Sequence, residues 1–213
     1  MTKYFSWLLA LASLKLASLY KVNIIVGSFN AYFSGTSVAM PLVGALGGPL
    51  TAGMTALARL AMTGFYGPAL LAYHIPGLCA ALAWSWYDAR FSWMLRAALP
   101  ALCFVLFVLH PVGSQAFVYA FYWCIPLGLY VAGARSLFAR ALSSTFIAHA
   151  VGSVLWLYTM PTTAVMWMGL IPVVACERLI YALSMVVVYR VVKYGALRVK
   201  NLSRVSAITS SQQ

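Results

Sequence analysis

Seven apolar stretches divide the chain, at about 5–26, 38–61, 66–87, 91–109, 116–133, 137–158 and 163–192. Within each, apolar residues run on continuously instead of alternating, which predicts helices and not barrel strands. Most approach the ~20 residues that an α-helix needs to cross hydrocarbon. In that solvent only a helix or a closed barrel satisfies every backbone N–H and C=O internally. The connections are short: Phe65–Gly67, Asp88–Arg90, His110–Ser114, Ala134–Arg135 and Met160–Thr162. They leave no room for a soluble domain. The pattern therefore predicts an all-α integral membrane protein, a compact transmembrane bundle over 1–192 followed by a basic, polar tail over 193–213.

Composition agrees, with 64% hydrophobic and 8% charged residues, where a soluble domain carries about 25% charged. The net charge of +12 sets 14 Lys and Arg against Asp88 and Glu177 alone. In a soluble chain that balance would suggest nucleic acid, but no basic patch is interleaved with aromatics for base stacking. Basic residues at helix ends instead meet anionic lipid headgroups and fix orientation. The tail, with Arg190, Lys193, Arg198, Lys200 and Arg204, places the C-terminus in the cytoplasm, in a multi-pass protein of the cell membrane, in bacteria the inner one. Seven crossings put the N-terminus outside and Arg90, Arg96, Arg135 and Arg140 inside. Six put both ends inside and need the first segment, interrupted by Lys15 and Lys21, to lie at the interface. No A-x-A-like cleavage site follows that segment, so it is expected to stay.

Two polar faces interrupt the apolar background. Glu177, flanked by Pro172-Val-Val-Ala-Cys and Leu-Ile-Tyr, is costly in a membrane and should face a cavity or a partner. Helical spacing puts Glu177, Tyr181 and Ser184 on one face, while Arg178 points about 100° away and is not the expected partner. His149, Ser153 and Trp156 share a second face, with Gly152 beside them to admit a close neighbour. Each face reads either as a ligand, ion or proton site or as an interhelical bond that only orders the bundle. His74 before Pro76 marks a possible kink, and His110 beside Pro111 an interfacial helix end. Trp84, Trp86, Tyr87 and Trp93 around Asp88 and Arg90 read as an aromatic belt.

Met40–Gly53 holds Gly44-x-x-x-Gly48 and two prolines, which permit close helix contact and suggest a bent or re-entrant start. Ser13 and Ala17 form a second small pair, and all four residues are candidates for contact with another subunit. Cys79, Cys103, Cys124 and Cys176 lack metal or disulfide spacing. There is no HExxH, GxSxG or P-loop and no acid cluster for a metal, so neither an enzyme nor a bound cofactor is expected, and any ATP-driven step needs a separate subunit.

The chain resembles the membrane-embedded substrate-binding S components of energy-coupling-factor vitamin transporters. Met40–Gly53 looks like the family's P-x-x-x-G-x-x-x-G-P-x-x-G start of its second helix. Phe146-x-x-His149-x-x-Gly152-Ser153-x-x-Trp156-x-Tyr158, then Pro161 and Pro172-x-x-x-x-Glu177, is similar to the last two helices of thiamine-binding members. Val165-Met-Trp-Met-Gly-Leu-Ile stands where that group carries tyrosine and asparagine. The resemblance implies six crossings and a vitamin-like ligand held by His149 and Trp156, with Glu177 near the pocket or its entrance. It also implies a transmembrane coupling subunit with ATPases as partner. A stand-alone proton- or ion-coupled carrier and a membrane assembly protein remain the alternatives.

Overall fold

The structure, a computed structural model, describes residues 21–24, 32–63 and 69–210, with side chains over 35–62 and 74–198. Strands β1 (Lys21–Ile24) and β2 (Tyr32–Ser34) pair antiparallel, with Lys21 opposite Ser34. Seven helices follow. They are α1 (Thr36–Thr63), α2 (Ala69–Ser85), α3 (Leu99–Leu109), α4 (Pro111–Gln115), α5 (Cys124–Val131), α6 (Leu137–Thr159) and α7 (Ala164–Ser210). A π-helical turn, Met94–Ala98, leads into α3, and a 3₁₀ turn, Phe117–Trp123, leads into α5.

Three helices are long and apolar enough to cross a membrane by length and composition, Thr36–Met62, Leu137–Thr159 and Ala164–Arg198, although the first is two arms joined at Gly48 and neither arm alone has that length. Two expected crossings come out shorter, as Met94–Leu109 and Phe117–Val131. Hydropathy sees apolar length but not the hydrogen-bonded turn over 86–93 that occupies the start of the first. Most of the expected first segment, with Ser13, Lys15 and Ala17, lies outside the described residues. Its end, Lys21–Ile24, is a strand, in keeping with β-branched Val22 and Ile24.

The bent start expected at Met40–Gly53 is a reversal. Gly48 adopts φ 80° and ψ 179° between two helical arms, a backbone state that only glycine holds without strain. Pro49 then restarts the helix at a position where its missing N–H costs nothing. Going up the first arm, Met40 meets Gly77 and Gly44 meets Ala81. Coming down the second, Ala52 and Ala56 rejoin the cluster of Met40, Val43 and Ala81, and Arg59 reaches the field of His74. Thus α1 is a helical hairpin laid along α2.

Helix α6 is central, packing against α1, α2, α3, α5 and α7. Its small residues explain this: Ser144 donates to the Ala80 carbonyl at 2.8 Å, and Gly152 sits beside Pro76. Two apolar clusters divide the interior. One holds Phe107, Tyr119, Trp123, Phe146, Leu157 and Trp167, the other Leu42, Trp84, Ala141, Tyr181 and Met185.

The hairpin tip, the turn over 86–93, the loop over 132–136 and the late part of α7 gather at one end of the bundle. Tyr87 fastens it. Its hydroxyl donates to the Ala134 carbonyl at 2.7 Å and accepts from Arg96 Nη2 at 2.7 Å. The Arg96 guanidinium lies 3.5 Å from the ring centroid and that of Arg140 lies 4.8 Å from it. Burial pushes the Tyr87 phenol above its ordinary range, against the pull of both arginines, so the hydroxyl stays a donor. Of the expected aromatic belt, Trp86 and Trp93 are exposed, but Trp84 and Tyr87 are buried. Trp84 stacks on Tyr189.

Candidate functional site

Glu177 and Arg178 lie on α7 between the two apolar clusters, with side chains 7% and 4% exposed. Contrary to the expectation from helical spacing, they are partners, with Arg178 Nη2 donating to Glu177 Oε2 at 2.6 Å. The spacing argument fixes where the Cβ atoms point, but a guanidinium on its long arm folds back across that angle. Arg178 Nη1 also donates to Thr145 Oγ1 on α6 at 3.3 Å. Tyr181 donates to Glu177 Oε1 at 3.1 Å and Arg178 lies 5.0 Å from its ring centroid, so the expected Glu177–Tyr181 pairing along the helix is present.

The polar face of α6 continues this cluster. Thr145, His149 and Ser153 follow one another at four-residue spacing, all buried, and the Arg178 charge reaches His149. Trp156, expected on the same face, is only partly buried and packs at the edge of the aromatic cluster. The ring actually set against His149 is Tyr119, at 5.4 Å between centroids, and its phenol hydrogen-bonds Ser153.

Tyr119 is the hub of a packed aromatic cluster. Phe107, Trp123 and Trp167 stand 5.8, 6.4 and 5.0 Å from it, centroid to centroid. The 3₁₀ turn makes this possible, because its tighter winding turns Tyr119, Tyr122 and Trp123 inward together. Among the described residues, two polar atoms in this cluster are buried without a hydrogen-bond partner, His149 Nε2 and Trp123 Nε1. Leaving such atoms unpaired costs about 1–3 kcal/mol each. One offers a donor and the other a donor or acceptor, according to its tautomer.

The structure thus brings together His149, Ser153, Glu177 and Tyr181, with Trp156 at the margin. Sequence spacing does not reveal Thr145, Arg178, Tyr119, Trp123 or Trp167. The aromatic density of Phe117-Val-Tyr-Ala-Phe-Tyr-Trp123 is the signal that could have pointed to the aromatic cluster. The candidate subunit-contact residues behave differently. Gly44 makes its close approach within the chain, since a Cβ there would stand 2.2 Å from the Ala81 carbonyl oxygen, and Gly48 serves the hairpin turn. His110 caps α4 by accepting from the Val112 amide at 3.2 Å. No protein-family model, curated protein or solved structure matches the chain.

Proposed function

We propose that the chain is a multi-pass membrane protein that captures a vitamin-like small molecule inside the bundle for uptake, with energy supplied by a separate coupling subunit and ATPases. The observation that carries this reading is the aromatic cluster in which His149 Nε2 and Trp123 Nε1 are unpaired among the described residues, beside a buried ion pair. Charges and unpaired polar atoms are expensive at membrane depth and are kept where they serve a ligand or a pathway. The Phe107 and Trp167 rings are in contact with Tyr119, so a flat heteroaromatic ligand enters only as they part, and its ring nitrogens and carbonyls then answer the two polar atoms.

The cations support the orientation. Arg90, Arg135 and Arg140 share the bundle end reached by the late part of α7, as the positive-inside rule asks of a cytoplasmic face. From the tip of the α1 hairpin at that face, the second arm, α2, α3 with its π-helical turn, α5 with its 3₁₀ turn, α6 and α7 give six segments for a six-crossing reading, of which α6 and α7 have full membrane length. The first arm adds a partial one.

The test is ligand retention by purified protein in nanodiscs across a vitamin panel, read by thermal shift. His149→Ala should weaken binding by about 1–3 kcal/mol. A protein that binds none of the panel and carries nothing through purification is not a capture subunit. The Glu177–Arg178–Thr145 chain favours a second reading, a carrier that exchanges a proton or an ion through this pair. Uptake into liposomes by this chain alone would select it.

A further inference from the structure

We propose that the cleft between the tip of the α1 hairpin and the start of α6 binds a phosphate ester. The cleft holds about 370 Å³, within the range of small-ligand sites. Arg135 and Arg140 form one wall and the backbone at Gly44 and Gly48 the other, over a floor made by the stacked rings of Trp84 and Tyr189.

Charge makes the case for an anion. The chain has only two carboxylate side chains, and both are taken: Glu177 by Arg178, and Asp88 by Arg140 Nη1 at 2.8 Å. None is left for Arg135, which is exposed at the rim. Arg140 is held in place at two points, since its Nε donates to the Arg135 carbonyl at 3.2 Å. Its Nη2 has no bond among the described residues. Two guanidinium groups, one fixed and one mobile, match the tetrahedral oxygens of a phosphate better than a single carboxylate.

The backbone adds to this. Helix α6, 23 residues long, begins at the cleft with Leu137, and its N-terminal dipole favours negative charge. Across the cleft, nothing stands within 4 Å of where a Gly48 side chain would be. The Trp84 and Tyr189 rings then meet the organic part of the ester. Inorganic phosphate alone would leave them uncovered.

Two sources carry this chemistry, a lipid headgroup and a soluble phosphate ester. Protein in phosphatidylcholine nanodiscs at fixed ionic strength is titrated with glycerol 3-phosphate, and parallel discs include phosphatidylglycerol. Thermal unfolding and native mass spectrometry are the readouts. A rise in unfolding temperature is expected with at least one probe; a response to discs alone assigns the lipid, and one to the soluble ester assigns that source. Arg135→Gln, which removes no internal contact of its side chain among the described residues, should weaken the response about tenfold. Arg198→Gln, exposed on α7 away from the cleft, should leave it unchanged. The proposal falls if neither probe stabilises, if Arg135→Gln responds like the unaltered chain, or if Arg198→Gln loses as much as Arg135→Gln.

Discussion

Glu177 and Arg178 are adjacent in sequence and joined in space, 2.6 Å apart and almost fully enclosed between α6 and α7. Removing one member leaves the other as a lone buried charge, while removing both leaves none. Glu177→Gln and Arg178→Met alone should each cost about 3–5 kcal/mol of stability, and the double substitution much less. Unfolding of purified protein in detergent, followed by denaturant or heat, measures the three. A loss in the double variant equal to the sum of the two single losses would mean that the pair is not coupled.

If the proposed function holds, Trp123 is where ligand binding and folding part. Its Nε1 has no hydrogen-bond partner among the described residues, so Trp123→Phe removes an unpaired donor while keeping an aromatic ring. Stability should stay level or rise by up to ~1 kcal/mol. Binding of the captured molecule should fall at the same time. Calorimetry of ligand binding beside thermal unfolding gives both values, and a purely structural Trp123 would show no loss of binding.

Gly44 and Gly48 should fail for different reasons. Gly44→Ala drives a methyl into the Ala81 carbonyl, so α1 must move off α2. Gly48→Ala has open space around it but a φ of 80°, and should cost about 1–3 kcal/mol through strain alone. A lower unfolding temperature in both is expected. A D-alanine at 48, introduced by chemical ligation, should restore stability there, because its mirror-image backbone accepts that φ.

The hairpin also predicts labelling. In a variant with the four cysteines replaced, Leu50→Cys should react with a membrane-impermeant thiol reagent applied from the cytoplasmic side. Met62→Cys, at the far end of the second arm, should react from the other side. Both positions are well exposed, at 74% and 69%. Reaction of both from the same side would contradict a crossing by the second arm.

Tyr87→Phe removes two bonds, to Ala134 and from Arg96, but keeps the ring between the two guanidinium groups. The expected loss is about 1–3 kcal/mol. Asp88→Asn touches a pair whose acid is half exposed and should cost no more than about 1 kcal/mol. Chemical denaturation of the two variants side by side gives the comparison.

The sequence makes some of this legible and hides the rest for physical reasons. Glu177 stands out because it is one of two acids in an apolar chain, and His149 and Ser153 because four-residue spacing on a long helix fixes a shared face. Arg178 is misjudged by the same rule, since spacing locates Cβ atoms and says nothing of how far a long side chain folds back. Gly44 and Gly48 look like one pair, yet one touches a neighbouring helix and the other turns the backbone. Tyr119 and Trp123 sit in a 3₁₀ turn, whose period differs from the one used to read faces. Segment lengths are overestimated where the turn over 86–93 has enough aromatic residues to pass as helix.

The length of α7 has a mechanical consequence. It runs unbroken for 47 residues, so about 30 Å of rigid rod extends from Arg190 to its end, at ~1.5 Å per residue. Tilting the part that carries Glu177 and Arg178 by about 10° would swing that tip by about 5 Å. A small tilt at the buried pair would thereby be geared up into a larger displacement at the end of α7.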